Sequence, residues 1–324
     1  MEYVNLGRSG LKISKIGLGC MSYGVHQRAW RLSEDDSRPH IRRALEAGIN
    51  FFDTADMYGA GESEEVLGRA LGEFANRDEV IIATKVFYPV RPDTNGGGLS
   101  RKAIFAAIDA SLRRLQTDHV DLYQIHRWDP DTPIEETLEA LNDLIRVGKV
   151  RYVGASSMAA WQFCKALLLA DRRGWARFVS MQPHYNLINR EDEREMLPLC
   201  RAEGIGVLPW SPLARGLLTR AWQAPSSSNR TEHDRTAERL YSQTVETDKG
   251  VVDALGEVAA ARGAPRAQVA LAWLLRQPGV TAPIVGATKA EHLEDALGAL
   301  DLVLDEDECE RLQSPYAPHP ASFY

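Results

Sequence analysis

Asp53-Thr54-Ala55-Asp56-Met57-Tyr58-Gly59 follows directly on the short apolar run Ile49-Asn50-Phe51-Phe52, and this junction decides the fold. Working outward, two later apolar runs also end in a chemically loaded residue: Ile81-Ile82-Ala83-Thr84-Lys85 and Leu122-Tyr123-Gln124-Ile125-His126. Barrel enzymes built from parallel strands draw their catalytic groups from the C-terminal ends of several strands. An acid, a phenol, an amine and an imidazole delivered in this way would converge on one proton-handling site.

The rest of the chain keeps the same beat. Tyr3 to Leu6 and Leu11 to Ser14 are short alternating runs around a Gly/Ser turn and predict a β-hairpin. Eight strands are then expected near Ile16–Leu18, Ile49–Phe52, Val80–Thr84, Asp121–Ile125, Arg151–Gly154, Phe178–Met181, Gly206–Pro209 and Pro283–Val285. Helical spacing lies between them, as in Ser100 to Leu115, where Ile104, Ala107, Ile108, Ser111, Leu112 and Leu115 recur on one face behind a Ser100 N-cap. Thr132-Pro133-Ile134-Glu135-Glu136 puts proline at a first helical position with acids in the first turn. Eight βα units with right-handed crossovers close into a (β/α)8 barrel, with a doubly wound sheet as the competing arrangement. Pro89 to Gly98 reads as a mobile loop. Ser211 to about Glu246 reads as a long loop after the seventh strand, a lid candidate. With no repeat or Pro/Ser linker to divide them, residues 1–324 are expected to form one domain.

Composition narrows the function. A chain of 324 residues, 44% hydrophobic and 26% charged, can bury a large core. A net charge of −7 speaks against nucleic acid as a partner, and no apolar run reaches membrane-span length. The start lacks the pattern of a signal peptide. Cys20, Cys164, Cys200 and Cys309 show no metal-like spacing, and no H-E-x-x-H occurs, so reduced thiols, a cytoplasmic setting and no metal are expected. A small molecule is the expected partner, and the oligomeric state is not readable.

Lys85 ends an apolar strand, where a lone ammonium is costly, so it needs an acidic partner, and Asp53 ends the neighbouring strand. A cation beside the phenol of Tyr58 would lower its pKa from about 10 and let it protonate an alkoxide. His126 could orient a carbonyl. The later strand ends are polar too: Ser156-Ser157, Gln182, Trp210 to Gly216, and Gly286-Ala287-Thr288-Lys289 leading into a helix near Ala290. Amides and hydroxyls suit a carboxamide, Trp210 offers a stacking face, and a helix N-terminus after the last strand suits phosphate.

Asp53-x(4)-Tyr58-Gly59, Ala83-Thr84-Lys85, Ile125-His126, Gln182, Trp210-Ser211-Pro212-Leu213 and Pro283 to Thr288 together resemble the aldo-keto reductase superfamily over nearly the whole chain. The branch most similar contains bacterial and fungal aryl-alcohol-dehydrogenase-like reductases, distantly related to potassium-channel β subunits. The resemblance implies NADPH-dependent reduction of an aldehyde or ketone, with Tyr58 as general acid, Lys85 and Asp53 tuning it, and His126 positioning the carbonyl. It implies that Ser156, Ser157 and Gln182 hold the nicotinamide carboxamide and that Trp210 stacks on the ring. Ser211, Pro212, Leu213 and Gly216 would line the pyrophosphate, and Gly286, Thr288 and Lys289 would lie near the 2′-phosphate. Cys20, Met21, Arg220, His292 and Asp295 complete the expected cofactor set, with Arg230 and Arg235 as further cations. His292, Asp295 and Ser157 depart from residues common in the family at those positions. Tyr23, Tyr88 and Trp128, with Met21, would form an aromatic substrate rim. Two other readings remain: a nucleotide-sensing module like the channel β subunits, and a Schiff-base aldolase or isomerase using Lys85.

Overall fold

Eight strands, all parallel, follow the expected order around a closed ring. Two short strands precede them, β1 (Tyr3–Asn5) and β2 (Lys12–Ser14), paired antiparallel with Tyr3 opposite Ser14 as the hairpin reading requires. The ring runs β3 (Gly17–Gly19), β4 (Phe51–Asp53), β5 (Ile81–Val86), β6 (Val120–Ile125), β7 (Val150–Ser156), β8 (Phe178–Gln182), β9 (Gly206–Val207), with β10 (Ile284–Gly286) beside β3. Closure between β9 and β10 rests on hydrogen bonds from Thr281 N to Val207 O (2.9 Å) and from Ile284 N to Pro209 O (2.9 Å). β9 is shorter than expected, since Pro209 has no N–H to extend its ladder. The computed structural model describes residues 1–26, 30–222 and 235–319, apart from the side chains of Arg235 and Ala237. Arg230 and the Arg235 side chain, expected near the cofactor, lie outside what is described.

Side chains two apart on a strand share a face, and this period sets the lumen. Phe51, Ala83 and Leu122 belong to an apolar floor with Ile81, Leu208, Ala282 and Ile284, while Asp53, Lys85 and Gln124 follow two residues later at the mouth. The hairpin plugs the floor: Leu6 and Ile13 are fully buried in that cluster, and Arg8 N donates to Gly204 O (2.8 Å). Gly7 makes this approach possible. At φ +59°, a Cβ there would stand 2.5 Å from Gly204 O. Facing outward, Phe52, Ile82, Tyr123 and Ile125 join the larger core under the helices.

The helices follow the sequence signals. Ser100 Oγ accepts from Ala103 N and caps Arg101–Leu115 (α3), after α1 (Glu34–Glu46) and α2 (Glu62–Phe74). Pro133 sits at the N-cap of α4 (Ile134–Arg146), one position ahead of the expected one. Next come α5 (Ala160–Arg173) and α6 (Met196–Glu203). Both expected loops hold local structure among the described residues. Pro89 to Gly98 is bonded back on itself, through Val90 N to Gly96 O (3.0 Å) and Gly98 N to Phe87 O (2.7 Å). The stretch after β9 holds a 3-10 turn, Ala214–Thr219, and then α7 (Arg235–Tyr241), before α8 (Val245–Arg262), α9 (Arg266–Arg276), α10 (Ala290–Gly298) and α11 (Glu306–Gln313). Among the described residues, no helix is long and apolar enough to cross a membrane.

Candidate active site

At the C-terminal mouth, Asp53 ends β4 and Lys85 stands one residue before the end of β5. Lys85 is fully buried, and its Nζ donates to Asp53 Oδ2 (2.5 Å) and to Thr54 O (2.8 Å). The other carboxylate oxygen of Asp53 accepts from Gln182 Nε2 (2.9 Å) and Gln124 Nε2 (3.2 Å). Two amides and an ammonium thus fix one carboxylate. Burial alone would depress the Lys85 pKa, but Asp53 and Tyr58 reverse that and hold it above its ordinary value.

Tyr58 opens a tight turn, Tyr58–Gly61, in which Gly59, Ala60 and Gly61 all have positive φ. Lys85 Nζ lies 5.1 Å from the centre of its ring. The expectation of a lowered Tyr58 pKa does not hold in this structure. Burial of the hydroxyl pushes it up, Lys85 pulls it down, and burial wins. His126 follows β6 and meets Tyr58 edge-on, with ring centres 5.8 Å apart. Burial, then Lys85 and Arg127, holds its pKa well below 6.5, so the imidazole is neutral near pH 7. Its Nδ1 is buried without a hydrogen-bond partner among the described residues.

The later strand ends gather on the other side of the mouth. Ser156 Oγ donates to Gln182 O (2.8 Å), and Trp210 Nε1 donates to Ser157 Oγ (3.0 Å). Gln182, expected to serve a carboxamide, has its amide nitrogen committed to Asp53. Ser157, Ser211, Ala214 and Arg215 have φ of 47°, 50°, 47° and 56°. Such backbone is costly for residues with a Cβ and clusters at ligand clamps. Pro212 is buried beside this turn, Leu213 precedes it with its carbonyl accepting from Gly216 N (2.9 Å), and Arg220 follows it half-exposed. Gly286, the last residue of β10, and Lys289 are exposed ahead of α10. His292 Nδ1 accepts from Thr288 N (3.3 Å), and Asp295 accepts from Gln268 Nε2 (3.3 Å), which turns it toward α9.

Some expected contacts are placed elsewhere. Tyr23 does not reach the rim: it is fully buried, stacked on His40 with ring centres 6.4 Å apart, because its segment bridges back to Leu32. The Cys20 thiol is likewise sealed, close to Leu18 O (3.7 Å), so only its backbone borders the site, beside a half-exposed Met21. Tyr88 does lie against His126, ring centres 5.1 Å apart, with its hydroxyl accepting from Arg127 Nε (3.0 Å). Trp128 packs on Trp161, an exposed aromatic at the start of α5 that the sequence reading passed over. Gln124 was also missed, although its place two residues before His126 puts it on the same face. Arg215, whose charge acts on Tyr58 from the strained turn, carried no sequence signal beyond its neighbours.

Residues 15–317 match the Aldo/keto reductase family. The versiconal hemiacetal acetate reductase of Aspergillus parasiticus is 42% identical, over 99% of this chain and 99% of its own length. An aldo-keto reductase of Fusarium vanettenii is also 42% identical, over 99% and 92%. A Schizosaccharomyces pombe protein assigned by name to the aryl-alcohol dehydrogenases is 41% identical, over 98% and 96%. With a barrel of the right order and similarity along nearly its full length, the chain belongs to the aldo/keto reductase family, oxidoreductases that reduce aldehydes and ketones.

Proposed function

We propose that this protein reduces an aldehyde or ketone to the alcohol with NADPH, Tyr58 giving the proton. The observation that carries this reading is the buried Lys85, held between the Asp53 carboxylate and the Tyr58 ring. A phenol is a useful acid only if its anion is stabilised once the proton has left, and a fixed ammonium does this. Before transfer, the raised pKa of Tyr58 keeps the donor loaded at neutral pH. The proton passes from Tyr58 Oη to the carbonyl oxygen as that oxygen gains negative charge, and solvent reprotonates the phenolate. Neutral His126 aids by donating a hydrogen bond to the same oxygen, not by ionising. Lys85 cannot serve as an aldolase nucleophile while Asp53 keeps it protonated.

The mouth suits a dinucleotide. NADPH, when bound, supplies the hydride that adds to the carbonyl carbon. Ser156 and Ser157 would hold its carboxamide, with Gln182 contributing Oε1, and Trp210 would face the ring. The strained turn from Ser211 to Gly216 would meet the pyrophosphate, and Lys289 with Thr288 the 2′-phosphate. Support comes from two features of this structure: positive φ crowded into residues 211–216, and an exposed cation just ahead of a helix N-terminus.

The test is Tyr58→Phe, assayed on aromatic, aliphatic and sugar-derived carbonyls with NADPH and NADH. Loss of the general acid is expected to lower kcat at least about 100-fold. NADPH binding, followed by fluorescence titration, is expected to persist. Retained turnover overturns the assignment.

A further inference from the structure

His184 and Trp210 stack almost face to face, ring centres 4.2 Å apart and planes 15° from parallel. The two are also joined through the backbone, Trp210 N donating to Pro183 O (2.9 Å). His184 is itself fixed on both edges. Nε2 lies 2.7 Å from the hydroxyl of Tyr241, and Nδ1 lies 2.5 Å from Asn189 Nδ2. Tyr241, the last residue of α7, has a second partner in the same place. Asn186 Nδ2 donates to its hydroxyl (3.2 Å) and to Ser211 O (3.0 Å), the carbonyl of a residue at φ +50°. One buried hydroxyl therefore touches both the support of Trp210 and the support of the strained turn. His184, Asn186 and Tyr241 are all buried, so solvent offers no substitute partner.

We propose that His184 is the positioning residue for Trp210 and that Tyr241, through its hydroxyl, makes the docking of α7 set how firmly the nicotinamide ring is held. This rests on the reading that Trp210 faces that ring. The imidazole must be neutral to serve as a flat, unhydrated backing, and burial with Arg215 nearby pushes its pKa down to about 3. An ordinary surface histidine would charge near pH 6.5 and draw water to the stack. Trp210 would then present its outer face at a fixed angle, which lowers the ordering needed when the ring binds.

Tyr241→Phe removes the hydroxyl and keeps the ring. Two probes separate positioning from general damage: NADPH, and adenosine 2′-monophosphate, which lacks both the nicotinamide half and the pyrophosphate. The expected result is an NADPH Kd raised about tenfold, the cost of ordering one loosened side chain on binding, with the monophosphate Kd within about twofold of wild type. His184→Phe/Tyr241→Phe is the second variant: it removes both ends of the 2.7 Å contact, so no imidazole nitrogen is left facing a missing hydroxyl, and it is expected to show the same selective loss. It decides the matter if the single variant fails to fold. Equal effects on the two probes, or none on either, overturn the proposal. Trp210→Leu tests the underlying reading separately. If it leaves NADPH affinity intact, the assignment of Trp210 is wrong. If it weakens NADPH while the tyrosine variants do not, only the positioning role of His184 and Tyr241 falls.

Discussion

Lys85 shows how far a single residue can be read before the fold is known. Two of its three N–H donors are taken by the Asp53 carboxylate and the Thr54 carbonyl, and the Tyr58 ring lies 5.1 Å away on the remaining side. The first was legible because both residues end neighbouring strands, and an unpaired buried ammonium is too costly to expect. The clamp on Asp53 by Gln124 and Gln182 was not legible. It depends on which strands face each other across the lumen, and amides carry no charge to announce a partner. The direction of the Tyr58 pKa was misjudged for a related reason, since sequence reveals the nearby cation but not the depth of burial. A double-variant test follows from the pairing. Lys85→Met alone leaves a buried carboxylate uncompensated and is expected to destabilise by about 3–5 kcal/mol. Asp53→Asn/Lys85→Met removes both charges, keeps an Oδ1 acceptor for Gln124 and Gln182, and should recover most of that in urea unfolding. A double variant no more stable than the single one would show that the two charges are not coupled.

Among the elements, the turn that carries Tyr58 is the most constrained. It is braced from outside the barrel by Arg114 of α3, whose Nε donates to Glu64 Oε2 of α2 (2.6 Å), while Glu64 Oε1 accepts from Thr84 Oγ1 (2.5 Å), next to Lys85. Glu64 is fully buried, so this pair locks two helices and a strand behind the site. Gly61 sits against the brace: at φ +102°, a Cβ there would stand 2.5 Å from Arg114 Cδ and Nε. Gly61→Ala therefore combines backbone strain with a push on the guanidinium, and is expected to lower stability by about 1–3 kcal/mol and to reduce kcat. A urea midpoint equal to wild type would count against it. The glycines at 59 and 61 were visible in sequence, but the packing reason for Gly61 lies in an arginine some fifty positions later. Strands and capped helices were legible, since period and cap chemistry are local. α7 was not: it is short, in a polar stretch, and is held by the long-range contact of Tyr241 with His184.

Across the whole molecule, the barrel grades from an apolar floor, plugged by the hairpin, to a mouth crowded with buried polar groups, and that crowding predicts how stability responds to acid. His126 and His184 are both held below their ordinary pKa by burial, His184 down to about 3. Unfolded, each would titrate near 6.5. The stability tied to them is full above that value. As pH falls below it, the unfolded chain binds two protons that the fold refuses, and stability is lost down through the folded pKa values. His40 and His292 shift the same way but are less buried and add less. Asp56 works in the opposite sense. Burial first, then Glu64, raises its pKa, so the folded chain holds a proton there that the unfolded chain has released, and that stabilisation grows as pH falls. With the histidines on one side and a single carboxyl on the other, the balance is a net loss of stability as pH falls below about 6.5. Urea midpoints at about pH 7 and about pH 5.5 measure the slope, and Asp56→Asn should steepen it by removing the opposing group. A midpoint that stays level across this interval would mean that His126 and His184 accept protons in the folded state, and would also remove the neutral imidazole on which the proposed role of His126 depends.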